Sequence, residues 1–535
     1  MTARATTTTR RGVLAAGATA IAGAVLPRPA LAQGPRARTI RFVPQAALNA
    51  LDPLAVPATV VATHGFCVYD TLYATDQRLA PRPQMAEGHE VSPDGLAWTI
   101  RLREALRFHD GEPVRARDAA ASLERWCARD PLGRLLGAAV AEWAAPDDRT
   151  LTIRLRRPFP AMLVALSKPA GTPPFILPER VLRATPPDRP VTEIVGSGPW
   201  RFLPDEFVPG SRAAYARFEG YAPRDEPAEA ASGGKRVHFD RLEWLAIPDG
   251  ATAASALRAG EVDWVEYPLP DLVPSLMRDR NVRTQVYDPL GFLGAMRFNH
   301  LHPPFDRVEV RRALRDLIAQ PDHMASVAAP GDWRECRAVF PCTLPGTVEF
   351  PAPAGRDFDT ARAVVRAAGY EGARTVILNP SDFAAIAPQG RLLAEVCARM
   401  GLAPDLVETD WAAVLTRRAS REPVARGGWS LHPTNFPAAT VANPAVHVGL
   451  RGNGEGAWFG WPTDPASEAA ISAWLDAPDA EAQARALADL QRAAWASVPF
   501  APTGLFTLRT GFRADLSGVL QGPNPYHWNV RRTGA

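Results

Sequence analysis

Residues 241–265 carry the pattern that most limits what this chain can fold into: a strand, a helix and a second strand in close succession. Polar and apolar residues alternate over 241–247 and again, briefly, over 262–265. Between them a helix is predicted over 252–259, with Gly260 as its stop. Two strands joined by one helix lie parallel in a sheet, because the helix carries the chain back to the end at which the first strand began. The pattern therefore predicts a partly parallel sheet in a protein of the α/β class.

Similar patterns recur in the rest of the chain. Alternating segments predict strands at 38–43, 98–102, 151–155, 375–378 and 406–408. Helical periodicity predicts helices at 60–72, 116–128, 308–318, 360–368, 390–400, 411–418, 467–475 and 480–496. We expect the helix at 308–318 to expose Arg311, Arg312 and Arg315. Because about 500 residues exceed what one hydrophobic core serves, we expect mixed sheets in two or three lobes.

The first 32 residues have the features of an export signal. Arg10 and Arg11 precede an apolar run, and Ala30-Leu31-Ala32 places small residues where a signal peptidase recognises them. The run of about 15 residues is shorter than the roughly 20 needed to span a membrane, which favours a cleaved signal over an uncleaved anchor. Residues 1–32 are therefore predicted to be a Tat-type signal peptide, cleaved near Ala32, and the mature chain to be periplasmic.

Charge and composition argue against a nucleic-acid partner. The chain carries 60 basic and 57 acidic residues, for a net charge of +3. The predicted signal contains four arginines and no acid, so the mature chain carries −1. Lys168 and Lys235 are the only lysines, and the arginines are spread among acids instead of forming a basic stripe with interleaved aromatics. No nucleic-acid partner is expected.

The five cysteines leave two interpretations open. In an oxidising compartment they allow at most two disulfides, and Cys336 and Cys342 are close enough in sequence to clip a loop. Export of a protein that has already folded in the cytoplasm instead favours five reduced thiols.

Short blocks of residues recur in a fixed order along the mature chain. The first block is Tyr69-Asp70-Thr71-Leu72 with Asp76 and 83–87, and the second is Ser92-Pro93-Asp94-Gly95 with 101–103, 108–113 and 116–118. The third is Gly196-Ser197-Gly198-Pro199-Trp200, the fourth is 256–263, and the fifth is Phe298-Asn299 with 304–305 and 310–314. Together these blocks resemble the bacterial extracellular solute-binding proteins of family 5, which serve importers of peptides, opines, nickel and haem. Within them, Asp94-Gly95 and Asp110-Gly111 predict tight turns, and His109 is expected to be a hydrogen-bonding turn residue.

The resemblance implies a two-lobed fold, the large three-subdomain form of the type II periplasmic binding proteins, with mixed sheets and a hinge of two crossing strands. On that basis we expect lobe I to comprise 33–62, 190–290 and 505–535. Residues 63–189 are expected to form a subdomain inserted in lobe I, and 291–504 to form lobe II.

The resemblance also implies a function, the periplasmic substrate-binding subunit of an ABC importer. Such a protein captures a small solute, here a peptide or a peptide-like or opine-like compound, by hinge closure and delivers it to a membrane permease. It is expected to be a monomer without a cofactor, and not an enzyme. A carrier of haem or of a metal complex is the alternative, although ten histidines without an i, i+4 pair argue against a dedicated metal cage. An exported hydrolase lacks support, because neither Gly-x-Ser-x-Gly nor His-Glu-x-x-His occurs.

One site segment follows from the resemblance. Peptide-binding members have a Gly-Trp-x-x-Asp-like stretch whose carboxylate pairs with the α-amino group of the ligand. In the matching stretch, 428–436, Trp429 agrees and His432 stands in place of the acid. No acid occurs between Glu422 and Glu455, which favours a ligand without an obligatory free α-amino group. A neutral imidazole there would donate or accept a hydrogen bond, and a protonated one would face an anion.

Further side chains are candidates for lining the same cleft. They are Ser430, Asn435, Trp411, Arg417, Arg426, Trp333 and, from the first loop, Asn49. For Arg417 and Arg426 the alternative is solvated surface charge. Trp458 and Trp461 are expected to pack in the core. No catalytic residue and no metal ligand are predicted.

Overall fold

The structure, a computed structural model, describes residues 38–186, 188–383 and 385–533. The predicted signal peptide therefore lies outside the described residues. The helices are α1 (Thr59–Val68), α2 (Ala116–Arg129), α3 (Pro131–Ala139), α4 (Met162–Leu166), α5 (Glu179–Ala184), α6 (Gly250–Ala259), α7 (Val273–Met277), α8 (Val308–Leu317), α9 (Gln320–Ala325), α10 (Phe358–Ala367), α11 (Ala387–Arg399), α12 (Trp411–Arg417), α13 (Pro465–Leu475) and α14 (Ala480–Ser497).

The strands form two large sheets, a four-stranded sheet and three small ribbons. They are β1 (Thr39–Val43), β2 (Asp70–Thr71), β3 (Tyr73–Thr75), β4 (Pro81–Pro83), β5 (Ala86–Val91), β6 (Ala97–Leu102), β7 (Val140–Ala144), β8 (Thr150–Leu155), β9 (Phe175–Ile176), β10 (Trp200–Phe202), β11 (Arg212–Arg217), β12 (Arg241–Leu245), β13 (Trp264–Val265), β14 (Val282–Val286), β15 (Phe292–Phe298), β16 (Trp333–Arg334), β17 (Arg374–Pro380), β18 (Ala403–Thr409), β19 (Leu431–Pro437), β20 (Phe500–Phe506), β21 (Arg509–Arg513), β22 (Leu516–Ser517) and β23 (Arg531–Arg532).

The seven-stranded sheet has the order β10-β11-β12-β1-β13-β21-β14. Its centre is parallel, because β1 pairs in parallel with both β12 and β13, and α6 connects these two neighbours. The strand–helix–strand prediction for 241–265 is thus confirmed. Asp249 starts α6 by accepting the N–H of Thr252 (2.7 Å), and Gly260 ends it with φ 70°.

The six-stranded sheet has the order β16-β20-β15-β19-β17-β18. Strands β19, β17 and β18 are parallel, whereas β15 is antiparallel to both β19 and β20. Apolar cores cover both of its faces: one lies between the sheet and helices α8, α10 and α11, and the other contains residues of α13 and α14. The two large sheets of mixed direction confirm the predicted fold class.

Two connections join the large sheets to each other. The chain leaves β14 in the seven-stranded sheet, passes through 287–291 and enters β15 in the six-stranded sheet. It returns from β20 through 507–508 into β21. The two connections lie side by side, since the N–H of Tyr287 donates to the carbonyl oxygen of Leu508 (2.8 Å). We call this pair of connections the crossing.

The antiparallel four-stranded sheet has the order β5-β6-β8-β7 and packs against α2 and α3. Its core also includes Trp474 of α13 and Ala486 of α14. Arg157, just after β8, forms an ion pair with Asp476 beyond the end of α13 (3.0 Å). This smaller sheet is therefore packed against the helices of the six-stranded sheet.

The Gly196–Pro199 turn packs against the end of α1. A Cβ added at Gly198 would lie 2.6 Å from the carbonyl oxygen of Cys67, so only glycine permits this approach. His109 lies beside the turn, with its Nε2 3.0 Å from the carbonyl oxygen of Gly198. Its prediction as a hydrogen-bonding turn residue is confirmed, and burial lowers the pKa of the imidazole to about 4.

The predicted exposed face of α8 is confirmed for Arg312 and wrong for Arg311 and for Arg315, whose side chain is 11% exposed. Arg311 is only 7% exposed, and it donates to the carbonyl oxygens of Phe305 (2.6 Å) and Ser497 (2.9 Å). Arg312 and Arg315 donate to the carbonyl oxygens of Ala496 and Trp495 (2.8 and 2.7 Å). Three guanidinium groups thus satisfy the last carbonyls of α14, where the helix dipole is negative.

Cysteine and lysine side chains are buried in this fold. Cys336 and Cys342 form a disulfide, as one of the two interpretations predicted, and Cys67, Cys127 and Cys397 are free and buried. The fully buried Lys235 pairs with Asp70 (2.8 Å), and Lys168 pairs with Asp130. Within the described ranges, none of the helices has the length and apolar character needed to cross a bilayer.

Candidate functional site

The carboxyl ends of the parallel strands in both large sheets lie next to the crossing. In the seven-stranded sheet, β1 and β13 end at Val43 and Val265. In the six-stranded sheet, the parallel strands β19, β17 and β18 end at a common edge. In open sheets with parallel strands, ligands bind outside the carboxyl ends of those strands. These two edges therefore define the candidate site.

On the seven-stranded sheet the candidate site begins with Glu266, the residue after β13. Its carboxylate is buried (1% exposed) and accepts the N–H of Gln45 (2.8 Å) and the hydroxyl of Tyr287 (3.3 Å). Burial raises the pKa of Glu266 to about 7, while these two hydrogen bonds act in the opposite direction. Tyr267 packs its ring edge-on to Tyr287, with 4.8 Å between ring centroids.

Asp288 continues this wall at the start of the crossing. It is 4% exposed, and its carboxylate accepts the N–H of Leu290 (3.0 Å). Burial raises the pKa of Asp288 to about 6. Among the described residues, neither Glu266 nor Asp288 has an ion-pair partner. Two buried carboxyl groups without a cation are unusual, because burial of a charge is costly unless it is paired.

Tyr526 contributes an unsatisfied hydroxyl to the same place. The residue is fully buried, and its Oη has no hydrogen-bond partner among the described residues. Burial raises the pKa of Tyr526, a weak hydrogen-bonding contact with the Asn524 side chain lowers it, and the charge of Asp288 raises it. The Asn524 amide itself donates to the carbonyl oxygen of Pro169 (3.1 Å).

On the six-stranded sheet the edge carries amide side chains. Gln389 of α11 accepts the hydroxyl of Thr503 (2.7 Å) and donates to the Oδ1 of Asn435 (3.3 Å). Asn435, near the end of β19, also donates to the carbonyl oxygen of Ala385 (3.3 Å). Of the residues predicted in 428–436, Asn435 is thus the one placed with a partly exposed side chain close to the crossing.

An aromatic pair lies beyond the ends of β17 and β18. Phe383 is 38% exposed, and its ring centroid is 5.5 Å from that of Trp411, the first residue of α12. Asp382 holds this pair in place by accepting the N–H of Trp411 (2.8 Å). An exposed aromatic pair at a strand edge offers apolar surface to a bound solute.

Trp429 and Ser430 lie at the other end of β19. Trp429 has no exposed surface, and its indole N–H donates to the carbonyl oxygen of Arg418 (3.0 Å). The hydroxyl of Ser430 accepts the N–H of Val376 in β17 (3.1 Å), and the residue is 2% exposed. In this conformation both side chains stabilise the sheet interior and present no surface to a solute.

His432 is enclosed by aromatic and cationic side chains. Its ring centroid lies 5.2 Å from that of Trp429 and 6.1 Å from that of Trp458. Burial, together with the charges of Arg418 and Arg297, lowers the pKa of His432 to about 3. The imidazole is therefore neutral at physiological pH, and of the two predicted roles for His432 the protonated one is disfavoured.

The remaining predicted residues are dispersed. Arg417 donates to the carbonyl oxygen of Gly427 (3.1 Å), and Arg426 forms an exposed ion pair with Glu422 (2.5 Å). Trp333 forms the edge strand β16 and pairs with Phe506 beside the crossing; its indole Nε1 is buried without a hydrogen-bond partner among the described residues. Asn49 is exposed in the loop after β1, with its amide 3.5 Å from the carbonyl oxygen of Ala47.

The predicted residues thus divide into two groups. Asn435, Trp411 and Trp333 lie at the edges that flank the crossing, whereas Trp429 and His432 lie inside the six-stranded sheet. Reasoning from the sequence missed Glu266 and Asp288. For Glu266 a signal existed, since the acid directly follows the predicted strand at 262–265.

Neither a hydrolase-like Ser-x-x-Lys pair nor a metal site is supported by the described part of the chain. Ser232 and Lys235 have the Ser-x-x-Lys spacing of some hydrolases, but the ammonium group of Lys235 is bound to Asp70 and the hydroxyl of Ser232 donates to Glu229 O (2.9 Å). No group of three or more His, Cys, Asp or Glu side chains within residues 38–186, 188–383 and 385–533 is arranged to hold a metal ion.

A fold with two mixed sheets joined at a narrow crossing, and polar edges on each side of it, defines a binding protein of the periplasmic type. The family model for bacterial extracellular solute-binding proteins, family 5 (middle), matches residues 80–445. The probable peptide ABC transporter periplasmic-binding protein y4tO of Sinorhizobium fredii is 33% identical over 98% of this chain and 100% of its own length. The chain belongs to the family 5 solute-binding proteins, which are substrate-binding subunits of ABC importers and not enzymes.

Solved structures share the fold. The periplasmic binding protein AgaA of Agrobacterium tumefaciens R10, in complex with agropinic acid, has a TM-score of 0.76 at 19% identity and covers 93% of this chain and 99% of its own. DppA of Helicobacter pylori, in complex with the peptide STSA, also has a TM-score of 0.76 at 19% identity, over 92% of this chain and 98% of its own. At this identity the likeness extends to the fold alone.

Proposed function

We propose that this protein captures a small peptide-like or opine-like solute in the periplasm and delivers it to the permease of an ABC importer. The observation that carries the proposal is the pair of strand edges at the crossing, each with polar groups beside aromatic surface. On one edge lie Glu266 and Asp288, and on the other lie Asn435, Phe383 and Trp411. The name of the full-length relative supports a peptide-like ligand.

We further propose the division of the chain that the resemblance implies. Lobe I would comprise 33–62, 190–290 and 505–535 with the inserted part 63–189, and lobe II would comprise 291–504. The crossing would act as the hinge, and a solute that contacts both edges would favour the closed state over the open one. The mature protein would be a monomer, exported by a Tat-type signal cleaved near Ala32.

The proposal is tested on the mature chain with two measurements. Melting temperature is recorded with di- and tripeptides, opines, sugars and small aromatic acids, because a ligand that binds only the folded state raises it. Small-angle scattering of the free and saturated protein then measures closure. We expect a peptide or opine to give the largest rise together with a smaller radius of gyration. A larger rise from sugars or aromatic acids, or an unchanged scattering profile at saturation, would refute the proposal.

A further inference from the structure

We propose that Glu266, Asp288 and Tyr526 form a receptor for a positively charged group of the solute, an ammonium or a guanidinium. The inference rests on the proposed function and assigns a role to one wall of the same cleft. It departs from the expectation drawn from the sequence, which found no acid between Glu422 and Glu455 and therefore favoured a ligand without an obligatory free α-amino group.

The first argument is charge. Glu266 and Asp288 are buried at the carboxyl end of β13 and at the start of the crossing, and no Lys, Arg or His of the described chain pairs with either. By contrast, other deeply buried acids of the seven-stranded sheet and the crossing form ion pairs with arginines. Asp263, for example, binds Arg532 (2.6 Å), and Asp332 binds Arg509 (2.7 Å). Glu266 and Asp288 lie at the sheet edge of the candidate site without a cation of the protein, so we infer that a bound solute supplies the cation.

The second argument is independent of the acids. The Oη of Tyr526 is buried, and no described residue lies within normal hydrogen-bond geometry of it; the side chain of Asn524 makes a weaker contact. The hydroxyl lies beside Gly522, where an added Cβ would be 3.6 Å from it, and the N–H of Gly522 donates to the carbonyl oxygen of Tyr287, the residue before Asp288 (3.0 Å). An N–H of a cationic group that is bound by Asp288 would satisfy this oxygen as well.

The third argument is the surrounding surface. The rings of Tyr267 and Tyr287 pack against each other beside Glu266, with 4.8 Å between centroids. Aromatic rings stabilise a neighbouring cation through their negative faces, and this effect is greatest where water is excluded. Carboxylates, a free hydroxyl and aromatic rings together match an ammonium or guanidinium and do not match an anion.

The test uses an equimolar mixture of di- and tripeptides and the same mixture after N-acetylation. Each is incubated with the mature protein, and bound species are identified by mass spectrometry after gel filtration. We expect wild type to retain free-amine peptides at least about tenfold more than their acetylated forms. Acetylated peptides retained only when they contain Arg or Lys would also support the proposal and would place the charge on a side chain.

Variants separate the acids from general effects on folding. Glu266→Gln and Asp288→Asn keep the shape and the accepting oxygen of each side chain, and we expect each to lose about tenfold or more of the free-amine binding. Glu243→Gln is the matched control, because Glu243 lies on β12 of the same sheet and is already bound to Arg241 (2.8 Å). Circular dichroism and melting curves establish that each variant is folded.

The outcomes distinguish two kinds of failure. If wild type binds free and acetylated peptides equally well, or if the folded double variant E266Q/D288N binds free-amine peptides as wild type does, the cation receptor is wrong while the peptide-like function stands. If wild type retains no member of either mixture, the peptide ligand and the receptor both fail, and the melting screen decides the opine ligand of the proposed function.

Discussion

Arg509 and Asp332 form a two-pronged ion pair across the crossing, with both N–O distances at 2.7 Å. Arg509 begins β21 in the seven-stranded sheet, whereas Asp332 directly precedes β16 at the edge of the six-stranded sheet. The carbonyl oxygen of Asp332 also accepts the N–H of Thr507 (2.7 Å). One residue thus binds both the connection and the strand that follows it.

Replacing Asp332 with asparagine should destabilise the protein by about 2 kcal/mol, because the guanidinium of Arg509 is left without its countercharge. Removal of one partner from a fully buried pair costs about 3–5 kcal/mol, and the partial exposure of Arg509 lowers that figure. Urea unfolding measures the difference. Glu481→Gln, which removes the exposed partner of Arg485, is the control and should change stability by less than about 0.5 kcal/mol. Equal effects of the two variants would contradict the prediction.

Replacing Lys235 with methionine should cost about 3–5 kcal/mol, because Asp70 would remain buried without a cation. Asp70 is 1% exposed and also accepts the hydroxyl of Tyr221 (2.8 Å). The double variant D70N/K235M should recover part of the loss, since it no longer buries an unpaired charge. Thermal unfolding of the three proteins tests this order. A double variant less stable than K235M would show that the charge is not the cause.

Replacing Glu266 with glutamine should stabilise the ligand-free protein at high pH and have little effect at low pH. The pKa of Glu266 in the folded protein is about 7, above the roughly 4.3 of an unfolded chain. The folded state therefore holds an extra proton between these values, and wild-type stability falls as the pH rises through that window. The variant does not titrate there, so the difference should grow to about 3–4 kcal/mol above pH 7.

Urea unfolding of wild type and E266Q at pH 4.5 and pH 8 measures this difference. A constant difference between wild type and E266Q at the two pH values would contradict the prediction.

Alkylation of the native protein with iodoacetamide at pH 8 should leave all cysteines unmodified. Burial raises the pKa of Cys127 and of Cys397 to about 12, and it raises the pKa of Cys67 as well. Denaturation without reductant should add three alkyl groups, and denaturation with reductant should add five. Intact-mass spectrometry counts the additions. Rapid modification of the native chain would show that one of the three sites opens.

Much of the fold follows from local sequence signals that the structure confirms. Asp357, Asp410 and Asp479 each accept an N–H in the first turn of the helix that they start, and these helices begin within two residues of the predicted positions. Gly401, with φ 87°, follows α11 as the sequence indicates. Such signals involve residues that are near one another in the chain, so a single sequence contains them.

The centre of the six-stranded sheet lacked such signals. Strands β15, β19 and β20 were not predicted: β15 and β20 are nearly continuous apolar runs, and β19 mixes polar residues and prolines without regular alternation. Pro433 and Pro502 lie inside two of them, although proline is rare within central strands. Burial between two layers of helices, which only the complete fold supplies, determines the conformation of these segments.

The candidate site was predicted only in part for a related reason. The match of Trp429 to a family motif indicates which strand approaches the cleft, but position along that strand depends on pairing with β15 and β17. The observed register pairs Leu431 with Phe298 and Pro437 with Phe292, which places Asn435 and not Trp429 near the crossing. Glu266 and Asp288 are 22 residues apart in sequence, and the pairing of β13 and β14 with β21 brings both to the same edge of the sheet.

The hydrogen bond between Tyr287 and Leu508 limits how the two connections of the crossing can move relative to each other. Two separate connections would let one large sheet slide, twist and tilt against the other. Two connections that are hydrogen-bonded side by side would instead bend together about a single axis. In the proposed hinge, the distance between the facing edges would be governed by one angle, and a longer solute would hold that angle wider.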